Sequence, residues 1–117
     1  MKRDNERIRD LILRFEEDEK WLHISMLHLS PSEDEEADYY HIQLLKDAGI
    51  VTDVGKGTVR LTNAGHDFAE ALRDEGIWNR TKSAVAETGG NATLEIVKAI
   101  ALGFLKKKIS QHTDIEL

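Results

Sequence analysis

Cysteine is absent from the chain, which excludes disulfides, thiolate nucleophiles and cysteine-ligated zinc and fits a reducing compartment. Any metal would have to be held by His, Asp or Glu. Proline occurs once, so Ser30-Pro31-Ser32 stands out as the clearest boundary in the sequence. Long apolar runs are also missing: nothing approaches the ~20 residues that cross a bilayer, and the charged start Met1 to Asn5 does not read as a secretory signal. These absences predict a soluble, cytoplasmic protein with no membrane partner. Net positive charge is lacking too, with 16 Lys and Arg against 22 Asp and Glu, a formal charge of -6. Phosphate neutralisation by basic side chains supplies most nonspecific nucleic-acid affinity, so this balance argues against a strong one.

What is present suits one small domain with a helical extension, because 117 residues can bury an ordinary core. Charge is uneven: Glu33, Asp34, Glu35, Glu36, Asp38 and Asp47 face only Lys46, whereas Lys106, Lys107 and Lys108 cluster near the end. Ile8, Leu11, Ile12 and Phe15 fall on one helical face with Arg7, Arg9, Asp10 and Arg14 turned away, predicting a helix from Asp4, its N-cap, to about Asp18. From Trp21 to Leu29, Leu22, Ile24 and Met26 alternate with His23 and Ser25. That pattern predicts a short strand with His23 and His28 pointing to solvent. It would join a later hairpin as the third strand that a stable sheet needs.

The stretch from Ser32 to Gly65 organises the rest. Ser32 followed by Glu35 is a capping-box pattern, and Glu33 to Glu36 suit the positive end of a helix dipole. Ala37, Tyr40, His41, Leu44, Leu45 and Ala48 are read as the core face of this helix, leaving Glu35, Tyr39, Ile42, Gln43 and Lys46 outward. Gly49 ends it. Ile50 to Val54 and Thr58 to Thr62 flank Gly55-Lys56-Gly57 as a hairpin. Thr62 or Asn63 then caps another helix, carrying Phe68, Ala69, Ala71 and Leu72. A further helical piece, Ile77 to Val85, carries Trp78 as the lid of a small core, and Gly89-Gly90 breaks the chain. Leu94, Val97, Ile100, Ala101, Phe104 and Leu105 predict an amphipathic last helix ending in the lysine run, packed on its own chain or on a second copy.

Helix, hairpin and helix in unbroken succession predict an α+β fold: a winged helix-turn-helix-like domain with a three-stranded antiparallel sheet and C-terminal helices. The expected division is a winged-helix core over 1–76 and a C-terminal helical extension over 77–117. Tyr40-His41-Ile42-Gln43-Leu44-Leu45-Lys46-Asp47-Ala48-Gly49-Ile50-Val51 is similar to the recognition helix and first wing strand of many bacterial winged-helix regulators, and Leu61-Thr62-Asn63-Ala64-Gly65 to their post-wing helix start. The whole chain resembles the bacterial and phage family called domain of unknown function 2513. The matching residues are Met1-Lys2-Arg3-Asp4, the helix just quoted, Leu61-Thr62 with Gly65-His66-Asp67-Phe68, Ala71-Leu72-Arg73-Asp74, Trp78, Lys82 and Leu94-Glu95-Ile96. That resemblance implies a fold and a frequent prophage setting; function has to be argued from the site.

Two functional readings follow. In the first, a DNA-binding, transcription-regulator-like module brings Tyr39, Ile42, Gln43 and Lys46 to the major groove of double-stranded DNA, with Lys56 and Arg60 on phosphates. In the second, a phage or prophage interaction module presents Glu33, Asp34, Glu35, Glu36 and Asp38 to a basic protein partner. A homodimer through the C-terminal helix is compatible with both. No enzyme is expected. Gly55-Lys56 lacks the preceding glycine and the following Ser or Thr of a phosphate loop, and the carboxylate runs sit beside no recognisable nucleophile. His41 and His66 could approach one another, but without metal-ligand spacing a hydrogen-bonded structural histidine is the better reading, and no metal or cofactor is expected.

Overall fold

The spacing of Ile8, Leu11 and Ile12 closes into helix α1, Asn5–Glu17, in the computed structural model, which describes Met1 to Leu117 throughout. Asp4 caps it, accepting from the amides of Glu6 and Arg7, and the three apolar side chains are buried. The order continues with β1 (His23–Ile24), α2 (Glu33–Asp47), β2 (Val51–Asp53), β3 (Thr58–Leu61), α3 (Asn63–Leu72), α4 (Glu75–Glu87) and α5 (Leu94–Thr113). The fold is α+β, with five helices and one antiparallel sheet of order β1-β3-β2. Residues 25–32 form no helix before α2, so helix, strand, helix and hairpin are the part of the winged-helix pattern that is present. No helix is long and apolar enough to cross a membrane. The chain divides into two units, Met1–Ala69 and Glu70–Leu117, with the boundary inside α3.

In the first unit, α1 packs on α2 and β3, and α2 packs on β2. Ile8, Leu11, Ile12, Ile42, Leu45, Ile50, Val51, Val59, Leu61 and Phe68 form its core, each large side chain contributing about 1.5–3 kcal/mol over exposure. The expected capping box is present: Ser32 accepts from the Glu35 amide, and Glu35 accepts from the Ser32 amide. At the other end Gly49, with φ of 74°, lets its own amide reach the Lys46 carbonyl and that of Ile50 reach Leu45, which stops the helix and starts β2. Thr62 rather than Asn63 starts α3, its hydroxyl accepting from the Gly65 amide.

Two expected orientations are reversed. His23 is only 7% exposed, whereas Ile24 is 79% exposed. The register pairs His23 with Val59 and Ile24 with Thr58, and since directly opposed residues share a face, His23 joins Val59 on the core side. Its ring stacks on Phe15 at 4.3 Å. The strand is also only two residues long, the rest of Trp21 to Leu29 being irregular. On α2 the buried face is rotated from the expected one: Ile42 is 5% exposed, while Tyr40 lies outside and meets His41 edge-on. The stripe follows His41, Ile42 and Leu45, because those positions face α1 and β2.

The second unit pairs α4 with α5. Asp74 and Thr93 cap them, and Trp78 is buried with Ile77, Thr81, Leu94, Val97 and Ala101. Gly89 and Gly90 both have positive φ, at the expected break. The last helix does not end at its lysines, because Ser110 to Thr113 extend it, and Ile100, Phe104 and Leu105 are only partly covered.

Candidate nucleic-acid and partner interface

The hairpin turn is closed by the Val54 amide donating to the Thr58 carbonyl at 2.9 Å, with Gly55 and Gly57 both in the left-handed region. Lys56 therefore stands exposed at the tip between them. Val59 and Leu61 point into the core and Arg60 points out, as the period of a half-buried strand requires. One Arg60 Nη donates to the Leu61 carbonyl at 3.1 Å, which leaves the rest of the guanidinium's donor capacity for a ligand.

On α2, Tyr39, Gln43 and Lys46 follow one another at helical spacing and are partly exposed. Lys46 Nζ lies 3.1 Å from Asp53 Oδ2 on β2 and donates to Gln43 Oε1 at 3.2 Å. That ion pair ties the last turn of the helix to the hairpin at Asp53, which opposes Val59 on the helix-facing side of the sheet, while Arg60 turns to the other side. The pair also neutralises Lys46 in place. Ile42, buried in the core, is removed from the groove-facing set.

The acidic candidates separate into two groups. Glu33 and Glu36 are exposed at the start of α2. Asp34 and Asp38 are turned to α1: Arg7 reaches Asp38 at 2.6 Å and Asp34 at 3.1 Å, and Arg14 reaches Asp38 at 3.1 Å. Burial pushes the Asp38 carboxyl up, but hydrogen bonds from Arg7 and Arg14, with their charges, outweigh it and hold the group below its ordinary range. Arg7 is correspondingly raised, by its hydrogen bonds to Asp38 and then Asp34. Glu35 is held low by His28 first and then by the Ser32 amide. Between the chain start and α2, Lys2, Asp4, Arg7, Glu33, Glu36 and Ala37 help line an open groove of about 470 Å³.

His41 is buried with both ring nitrogens engaged. The Asp4 amide donates to Nε2 at 2.9 Å, and Nδ1 lies 2.7 Å from the Ala37 carbonyl, so Nδ1 carries the proton. His66 is exposed on α3, and no group of three His, Asp or Glu is placed to hold a metal ion.

Sequence reasoning placed Arg7 and Arg14 on the solvent side and missed their role as partners of the acidic helix. The signal was the opposite charge of the two helices, but the pairs are 24 to 31 residues apart. It also missed that Trp21, Ile24, Met26, Leu27 and Leu29 are all exposed. There the signal was a run from Trp21 to Ser32 without one Asp, Glu, Lys or Arg.

Among known proteins, the chain is similar to an "Uncharacterized protein" of Haemophilus influenzae, with 22% identity over 118 residues that cover 94% of this chain and all of the relative. No solved structure matches it. Residues 2–91, from the segment before α1 to just beyond α4, match the family described as "Hypothetical protein (DUF2513)", and the chain belongs to that family.

Proposed function

We propose that Met1–Ala69 docks on double-stranded DNA in a transcription-regulator-like role. The reading is supported by the Lys46–Asp53 pair, which fixes the end of α2 beside the hairpin. Tyr39 and Gln43 then reach base edges, while Lys56 at the tip and Arg60 on β3 lie on the flanking phosphates. Phosphate contact by two cations is a small electrostatic contribution in a chain of net charge -6, so binding depends on salt and on base contacts together. The test is fluorescence anisotropy with random-sequence duplexes and duplexes from the protein's own upstream region, at low and physiological salt. Lys56→Ala and Arg60→Ala should each weaken binding to all sequences and lower the salt slope by about 1. No binding even at low salt would sink the proposal.

A second reading is supported by the exposed Glu33 and Glu36 at the start of α2. They lie at the positive end of the helix dipole but outside the pairs that Arg7 makes with Asp34 and Asp38, so their exposed carboxylates can meet a basic protein surface. Glu33→Lys with Glu36→Lys separates the readings. It strengthens DNA binding under the first and abolishes capture of a basic partner under the second. A prophage setting suits either.

A further inference from the structure

The Ser25 amide donates to the Gly57 carbonyl at 2.8 Å, and His23 and Ile24 pair with Val59 and Thr58. In an antiparallel ladder alternate residues turn both peptide groups to the same neighbour, so the amide and carbonyl of Ile24 face the open edge of the sheet. With the order β1-β3-β2, that edge has no strand beside it. Edge strands are ordinarily blunted by shortness, charge or proline, and β1 is short, with two residues. It carries neither formal charge nor proline within the strand, and the run Trp21 to Ser32 has no formal charge, although 32% of the chain is Asp, Glu, Lys or Arg. It instead exposes Trp21, Ile24, Met26, Leu27 and Leu29, the last completely. Five exposed apolar side chains within nine residues, beside open backbone groups, mark an interaction surface.

We propose that this edge pairs with the same edge of a second copy, joining two three-stranded sheets across β1 about a twofold axis at Ile24. The outward peptide groups of Ile24 then exchange two hydrogen bonds with those of its counterpart. Leu22 and Met26, two positions to either side, lie opposite one another across the axis, on the sheet face that also carries Ile24. Charge favours this occupant. Two chains of net charge -6 repel each other over most of their surfaces, and an uncharged segment is where they can meet without an unscreened like-charge contact. The five exposed residues present on the order of 700 Å² at most, which sets the contact at the small end of specific interfaces, about 800 Å² per partner being standard. The proposal is independent of whether DNA is bound.

The test is sedimentation velocity of the full chain at about 0.5 mM, above the dissociation constant expected of a small interface. The wild type should sediment at twice 13.3 kDa. Ile24→Lys, which puts a cation on the outer edge without removing a bond to β3, should sediment as the monomer with an unchanged circular dichroism spectrum, and Met26→Lys should do the same. Ile96→Lys on α5, where the side chain is also exposed, should remain a dimer. A monomeric wild type, or a dimer that survives Ile24→Lys and is lost in Ile96→Lys, overturns the proposal. So does a monomer that co-floats with phosphatidylcholine vesicles through Trp21, which would assign the segment to a lipid surface.

Discussion

The backbone amide of Asp4 donates to Nε2 of His41 at 2.9 Å, tying the residue that caps α1 to the middle of α2. Because Nδ1 donates to the Ala37 carbonyl, the imidazole spans two backbone groups that would otherwise lack these partners. His41→Ala removes a buried ring and leaves the Asp4 amide without its acceptor. The expected cost is about 2–4 kcal/mol, the sum of a cavity and a lost acceptor, measured by urea unfolding. His41→Phe restores volume but not the acceptor and should recover only part of that loss. A His41→Phe protein as stable as the wild type would show that the ring's bulk, not its nitrogens, is what matters.

Asp38 holds both Arg7 and Arg14, with side chains about a quarter exposed on the Asp38 and Arg7 sides. Its carboxyl is held below the ordinary value of 3.8, since the arginines outweigh the opposing effect of burial. A lowered carboxylate stabilises the fold above its ordinary value, and that contribution disappears as pH falls through the lowered one. Asp38→Asn should therefore cost about 1–2 kcal/mol at neutral pH, a discounted figure for a partly exposed network, and the gap to the wild type should close in acid. A gap that stays constant down to pH 2 would locate the effect in packing rather than charge.

How much of this was legible depended on range along the chain. Asp4, Ser32 with Glu35, Gly49 and the Gly55 and Gly57 turn act on neighbours within a few residues, and each was read with its role. The phase of β1 was not, because Leu22, Ile24 and Met26 carry the apolar alternation while the strand obeys a register with Val59 and a stack on Phe15. Ile42 and Tyr40 exchanged places for a related reason: several apolar or aromatic residues surround α2, and only its seat against α1 and β2 selects the buried stripe. Of the candidate surface, the outward placement of Lys56 and Arg60 was legible from the hairpin. The pairing of Lys46 with Asp53 and of Arg7 with two acidic residues required the folded arrangement of the elements.

His23 supplies a second pH effect of known sign. Burial lowers it below its ordinary 6.5, against the opposing influence of Asp18, whose Oδ2 lies 3.6 Å from Nδ1. The unfolded chain takes up a proton first as pH falls, so stability present above 6.5 is lost on acidification through the folded value. His23→Phe keeps a ring against Phe15 and removes the titrating group. The difference in urea midpoint between wild type and variant should change between pH about 7.5 and about 5.5, the wild type losing more. Parallel curves would refute this assignment.

Gly65 sits where α3 leaves β3, and a Cβ there would come within 2.2 Å of the Ile50 carbonyl oxygen. That carbonyl cannot move aside cheaply, because it accepts from the Thr62 amide, and the Thr62 hydroxyl accepts in turn from the Gly65 amide. The restriction is therefore close approach of two backbone segments, not positive φ. Gly49 is the opposite case, with φ of 74° and no atom within 4 Å of an added Cβ. Gly49→Ala should cost about 1 kcal/mol, the ordinary penalty for a left-handed alanine. Gly65→Ala should cost about 3 kcal/mol or more, or fail to fold, because it separates the start of α3 from the end of α2 and opens the cap. Thermal unfolding of the two variants side by side tests the distinction, and equal losses would mean that the approach at Gly65 relaxes without consequence.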